Sequence, residues 1–417
     1  MRDKIIAFVM AGGQGSRLQP LTTDRSHAAV PFGSRYRLVD FVLSNLVNSR
    51  IQTIYLLVQY MSQSLIEHVR KAWTISPLFY NQFVTVVPPQ MHYSESWFQG
   101  TADAVRQNIS LVEEQMPDYV LVFGADHVYR MDIQQMLAFH QERDADVTIA
   151  ALPVPLEDAK QFGVIAADAD GCIRAFQEKP ANPSPLPDDP ANAFASMGNY
   201  VFSGKVLIEA LKASQQDNEA DFGHHVLPRM LADGSRLFAY DFTTNEIPGV
   251  KPYESRFYWR DLGSIDTYFK AHKDVLGAQP TFDAFNPRWP IYSSNYQGPV
   301  ARVLGARLDN SLVGAAAVVH KNARLTNSIL RRETVIEEDA VLEDCIIMDY
   351  SRIGKGARLR RVIVDCHNII EPGTTIGYDR EADSKLYTVS EGGVTVVSAG
   401  PSSFFARDSG LGGGYSE

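Results

Sequence analysis

From Ile329 to Ile376 an aliphatic residue recurs every six positions: Ile329, Val335, Val341, Ile347, Ile353 and Leu359, then, after one five-residue step, Val364, Ile370 and Ile376. A helix repeats every 3.6 residues and a strand every 2, so neither produces this spacing. A β-helix does, because each short strand sends one aliphatic into a stacked core and turn residues such as Gly354, Gly356 and Gly373 follow. A β-sandwich would instead show period two over longer strands.

Upstream the pattern changes. From residue 5 to about 152, apolar runs at Ile5–Met10, Thr53–Val58, Tyr119–Phe123 and Val147–Leu152 alternate with amphipathic stretches at Asp40–Asn48, Ser62–Trp73 and Asp132–Gln141. Strand alternating with helix predicts an α/β fold, a mostly parallel sheet covered on both faces. Ligands of such sheets sit beyond the carboxyl ends of the strands, which points to the loops after Met10, after Phe123 and near Gln59. The stretch from Phe162 to about Val275, with shorter strands at Gly163–Ala167, Ile173–Gln177 and Asn199–Phe202, reads as the other half of the same unit. Between Gln279 and Pro299 four prolines and several Asn and Ser residues suppress regular structure. The expected organisation is a catalytic domain over 1–278, a linker over 279–300, a β-helix over 301–398 and a flexible Gly- and Ser-rich tail over 399–417.

Composition excludes several classes. No apolar run approaches the ~18 residues of a membrane span, and Met1–Lys4 leads straight into an apolar strand, so neither a membrane protein nor an export precursor is expected. Cys172, Cys345 and Cys366 are widely spaced and form no CxxC pair, which suggests no disulfide framework or zinc site and a cytoplasmic protein. A net charge of −10 argues against a nucleic-acid surface. An anionic small substrate must then be met by a few local cations.

The first strand ends in Met10-Ala11-Gly12-Gly13-Gln14-Gly15-Ser16-Arg17-Leu18. Glycines let backbone N–H groups approach phosphate oxygens, and Arg17 adds a bidentate cation to the same loop. A dinucleotide fingerprint would need glycine where Leu18 stands, and a Walker loop would need Gly-Lys-Ser/Thr.

This loop, continued by Gln19-Pro20-Leu21-Thr22, then Arg25-Ser26-His27-Ala28-Ala29-Val30-Pro31-Phe32-Gly33 and Tyr36-Arg37-Leu38-Val39-Asp40-Phe41, resembles the opening of glucose-1-phosphate adenylyltransferases. Similar motifs recur in order: Gly100-Thr101-Ala102-Asp103-Ala104, Gly124-Ala125-Asp126-His127, Phe162-Gly163-Val164, Glu178-Lys179-Pro180, Ser196-Met197-Gly198-Asn199-Tyr200, Asp221-Phe222-Gly223 and Trp259-Arg260-Asp261. The resemblance covers about residues 5–398. It implies a Rossmann-like (GT-A-like) nucleotidyltransferase domain followed by a left-handed β-helix of hexapeptide repeats.

It also implies a reaction, the transfer of AMP from ATP to glucose 1-phosphate for glycogen or another α-glucan. Two polyanions must be brought together in line, which calls for cations and a divalent metal. By resemblance Asp126 and Asp261 would hold Mg²⁺, and Arg17, His27, Asp126 and Lys179 would be catalytic. Gly12, Gly13, Gly15, Gln59, Gly100 and Thr101 would bind the nucleotide. Phe98, Gly163, Glu178, Lys179 and Ser196 would take the sugar phosphate. A homotetramer, or a hetero-oligomer with a paralogous subunit, is the assembly such proteins form.

Departures from the family pattern bear on activity. His27 stands where the family carries a lysine, and an imidazole with an ordinary pKa of about 6.5 is a weaker cation beside a triphosphate. This leaves open a catalytically impaired regulatory subunit, although Arg17, Asp126, Lys179 and Asp261 all remain. Phe98 replaces a tyrosine and Ala125 a glycine. Asp24 and Pro31 occupy positions where many members carry Lys or His for allosteric anions, so weak or altered activation by sugar-phosphate glycolytic intermediates is expected; many-fold activation by fructose 1,6-bisphosphate would contradict it. UTP or dTTP as donor, and glucosamine 1-phosphate as acceptor, are the alternatives among nucleotidyltransferases. A hexapeptide acetyl-CoA transferase using His320 or His367 would leave the N-terminal half without a role.

Overall fold

The structure is a computed structural model that describes residues 3–74, 82–90, 97–186, 188–217 and 219–400. Residues 401–417 of the expected tail lie outside the described residues.

The strand Ile5–Met10 is central. It runs parallel to Thr53–Leu57 on one side and to Tyr119–Gly124 on the other, and Phe83–Val87 extends the sheet in the same sense. Met10 is level with both Leu57 and Gly124, so the carboxyl ends of three strands open at one height. Ile6, Ala7, Phe8 and Val9 are all fully buried, which is why this strand reads as a continuous apolar run. Beyond Tyr119–Gly124 the sheet turns antiparallel. The long strand Asn192–Ser203 pairs antiparallel with Tyr119–Gly124, Val147–Pro155 and Gly163–Ala167, and Ile173–Glu178 lies antiparallel to Gly163–Ala167. The register of Asn192–Ser203 shifts between Ser196 and Tyr200, where Gly198 takes a positive φ of 70°. Two aliphatic clusters cover the two faces of this sheet.

The C-terminal strands form three parallel stacks that wind as a left-handed β-helix. The inward core is Leu330, Ile336, Leu342, Ile347, Ile353, Leu359, Val364, Ile370 and Ile376. Its first members differ from the expected ones by one residue. Leu325 pairs with Leu342, Leu342 with Leu359 and Leu359 with Ile376, so one coil is 17 residues and a five-residue step recurs in every turn. Val335 and Val341 are half-buried neighbours of the core residues Ile336 and Leu342, while Ile329 is buried facing the other way. The strict six-residue reading fails there because Leu342 to Ile347 is itself a five-residue step, and the slip passes unnoticed in sequence because each core residue has an apolar neighbour at Ile329, Val335 or Val341. Ile329, Ile346 and Ile363 join a cluster with Phe32, Phe41, Tyr268 and Phe269 of the N-terminal domain.

Polar groups fasten this contact, a buried guanidinium among them. Arg331 is buried, with Nε donating to Asp349 Oδ2 at 2.9 Å and Nη1 donating to the carbonyls of Phe32, Gly33 and Tyr36 at 3.0, 2.9 and 3.0 Å. Arg25 reaches Asp365 at 2.8 Å beside it. The segment 279–299 has no helix or strand, yet it is fixed to the N-terminal domain rather than slack. Phe282, Trp289 and Ile291 are buried, and Ser293 Oγ donates to Asp40 Oδ2 at 2.7 Å. Among the described residues no helix is long and apolar enough to cross a membrane.

Candidate active site

A cleft of about 510 Å³ opens at the carboxyl ends of the parallel strands. Met10, Gly12, Gly13 and Arg17 line one wall, Gln59 and Phe98 to Thr101 a second, and Gly163, Glu178, Lys179 and Ser196 a third. Asp126, His127 and Asp261 close the floor.

The glycine loop has its shape for a steric reason. Gly15 adopts φ +62°, and a Cβ there would stand 2.9 Å from His27 Cβ, so only glycine lets the loop fold over that ring. Arg17 follows in a short 3₁₀ turn at Ser16–Leu18. Its Nη2 lies 2.8 Å from where Gly263 would carry a Cβ, next to Asp261 Oδ2. The guanidinium therefore stands beside the carboxylate from the far end of the domain.

Asp126 follows the strand Tyr119–Gly124, and Asp261 ends the short strand Trp259–Asp261, which pairs antiparallel with His127–Tyr129. Burial disfavours the Asp126 charge. His127, His27, a backbone N–H and Arg17 outweigh it, and the carboxyl is held below the ordinary carboxylate range. One ligand atom each from Asp126, His127 and Asp261 lie within 4.8 Å of one another. This donor set fits a divalent cation, and His127 Nδ1 is a buried polar atom with no hydrogen-bond partner among the described residues, as an open ligand position requires.

Glu178 is seated between two glycines. A Cβ on Gly163 would stand 2.9 Å from Glu178 Oε2, and one on Gly223 2.6 Å from it. Lys179 is more than half exposed, with Nζ 3.4 Å from Glu178 Oε1. It adopts φ 45°, a left-handed conformation that costs a non-glycine residue on the order of 1 kcal/mol and that is retained where the surroundings demand it.

Two predicted contacts are already taken by the protein. Gln59 Oε1 accepts from the Phe98 N–H at 2.6 Å and its Nε2 donates to the Phe98 carbonyl at 3.3 Å, so this amide positions the Phe98–Thr101 wall. Thr101 Oγ1 donates to Asp221 Oδ2 at 2.9 Å and accepts from the Phe222 N–H at 3.1 Å, tying the wall to the turn that seats Glu178.

The nucleotidyl transferase family model matches residues 6–277, and the GlmU-like, C-terminal hexapeptide model matches residues 302–397. A glucose-1-phosphate adenylyltransferase of Thermodesulfovibrio yellowstonii is 50% identical over 394 residues, 94% of this chain and 96% of the relative. The chain belongs to the glucose-1-phosphate adenylyltransferase family. Relatives of the same name from Mycobacterium leprae and Deinococcus radiodurans are 48% identical over 400 residues and 42% identical over 413, covering 95% and 96% of this chain and 98% and 99% of theirs.

In this glucose-1-phosphate adenylyltransferase family member His27 does not line the cleft. It is buried under the glycine loop, its Nε2–H donating to the Leu262 carbonyl at 3.1 Å. Of the other residues expected from the sequence, Gly12, Gly13, Arg17, Gln59, Phe98, Gly100, Thr101, Asp126, Gly163, Glu178, Lys179, Ser196 and Asp261 do line it; Gly15 supports the loop from behind. His320 and His367 lie on the β-helix and do not. His127 and Gly223 line the cleft as well, and nothing in their motifs marks either as a site residue. The signal for His127 is its register opposite Asp261, which only strand pairing reveals.

Proposed function

We propose that this chain transfers the AMP moiety of ATP to α-D-glucose 1-phosphate in the cleft described, supplying ADP-glucose for α-glucan synthesis. The observation that carries this reading is the meeting of the glycine loop with Arg17, the Asp126–Asp261 pair and the Glu178–Lys179 corner around one cavity. A phosphate oxygen of glucose 1-phosphate forms the new bond to the α-phosphorus, the bond from that phosphorus to the bridging oxygen of the β-phosphate breaks, and pyrophosphate leaves with the electron pair. No covalent intermediate on the protein is needed.

Backbone N–H groups of Gly12 and Gly13 and the Arg17 guanidinium receive the triphosphate. Lys179 binds the sugar phosphate from the opposite wall, and Glu178 accepts hydrogen bonds from sugar hydroxyls. Both substrates are thus aligned before reaction, which converts a bimolecular encounter into a step within one complex. Asp126 and Asp261 would hold Mg²⁺, which supplies shielding of the phosphate charge when bound. His27, hydrogen-bonded to Leu262, joins the glycine loop to the segment that carries Asp261.

The same reading places the protein in the cytoplasm and in a homotetramer or a hetero-oligomer with a paralogous subunit. The exposed aliphatics Val300, Val303 and Ile369 of the C-terminal region support assembly.

The test is ADP-glucose formation from ATP, glucose 1-phosphate and Mg²⁺ with pyrophosphatase, followed by chromatography. The native protein is expected to turn over. His27→Lys is expected to be faster, by no more than the roughly 10²- to 10³-fold worth of one transition-state donor. Silence in the native protein with activity in the variant would establish a regulatory subunit that lacks one cation.

A further inference from the structure

The Asp126 and Asp261 carboxylates have a third companion of different chemistry. Because His127–Tyr129 runs antiparallel to Trp259–Asp261, His127 stands directly opposite Asp261. Its Nδ1 is 3.5 Å from Asp126 Oδ1, and it belongs to the trio whose ligand atoms lie within 4.8 Å of one another. That nitrogen is buried and has no hydrogen-bond partner among the described residues, so its lone pair is open to a ligand.

The ring is held in this position. It packs against Trp259 with centroids 4.9 Å apart, and Phe162 braces Trp259 edge-on at 5.3 Å. Gly124 keeps the approach clear, since a Cβ there would stand 3.0 Å from Asp126 Oδ1 and 3.6 Å from His127 Nδ1.

We propose that His127 Nδ1 is a third protein ligand of the divalent cation at Asp126 and Asp261, making a mixed nitrogen and oxygen site that favours first-row transition ions over Mg²⁺. The inference rests on the reading of the two carboxylates as cation ligands. Its chemical basis is that Mg²⁺ takes oxygen donors, whereas imidazole suits transition ions. As a ligand the ring would donate the Nδ1 lone pair, with its proton on Nε2.

Mn²⁺ serves as the probe, without nucleotide, on the full-length protein. Pulsed electron paramagnetic resonance of bound Mn²⁺ is expected to show coupling to a directly bonded nitrogen, and that coupling should vanish in His127→Leu. Equilibrium binding of Mn²⁺ should weaken in this variant by at least about tenfold, the smaller loss seen when even an outer-shell partner of a metal ligand is removed, while Mg²⁺ binding changes much less. Mn²⁺ binding that is lost in Asp261→Asn but shows no nitrogen coupling in the native protein would overturn the His127 assignment and leave the two-carboxylate reading intact. Mn²⁺ binding that Asp261→Asn does not alter would overturn both. The spectrum of the native protein decides the question even where a variant fails to fold.

Discussion

Asp126→Asn is expected to lower the rate of ADP-glucose formation by about 10²- to 10³-fold, the range typical of removing one electrostatic contact that matters most in the transition state. The substitution keeps the shape of the side chain and removes its charge. His127, His27 and Arg17 surround that charge and hold the carboxyl ionised, so the native group is a full anion in the working range of pH. Among the described residues its one ion pair is the 3.5 Å contact with His127, so little of the fold's stability rests on this charge. Unfolding midpoints of the two proteins should therefore be close while their kcat values separate. A variant retaining kcat within threefold of the native enzyme would remove Asp126 from the mechanism.

Arg331→Met should cost about 3–5 kcal/mol, because it strands Asp349 in the interior and strips the carbonyls of Phe32, Gly33 and Tyr36 of their donor. Burial opposes the Asp349 charge; Arg331, Arg332 and Arg37 hold its carboxyl below the ordinary range, and the variant would leave Arg332, with Nε 3.5 Å away, and Arg37 to offset part of that burial. The contact joins two domains, so the loss is expected to appear in urea unfolding as two separated transitions in place of a more concerted one. Adding Asp349→Asn should restore part of the loss, since the two residues form one pair and their effects are not additive. An Arg331→Met protein that unfolds within 1 kcal/mol of the native one would show that the aliphatic contact of Ile329, Ile346 and Ile363 suffices.

The limits of legibility fall at particular residues. The glycine loop, Asp126 and Lys179 were readable because each lies in a short motif whose chemistry depends on its immediate neighbours. Gln59 and Thr101 were readable as members of the cleft, but not as residues whose polar atoms bind the Phe98 backbone and the Asp221 turn. His27 was readable as a departure from a lysine, but not as a ring turned beneath the loop toward Leu262. Such partners come from segments distant in the chain, and side-chain direction follows from packing that no spacing records.

The β-helix shows the same division. Its existence follows from periodicity, because burying one aliphatic per short strand is a local requirement repeated along the chain. Which aliphatic faces inward in the first coils does not, since Ile329 and Leu330 are adjacent and both are buried, one against the neighbouring domain and one in the core. By itself the sequence determined an α/β unit with a phosphate-binding loop, a break rich in proline and a stacked β-helix. Only the tertiary structure decided that Asp261 reaches Asp126, that His127 joins them and that Arg331 fastens the two domains. These are matters of strand register and domain contact, where residues far apart in sequence meet because the apolar faces between them have been buried.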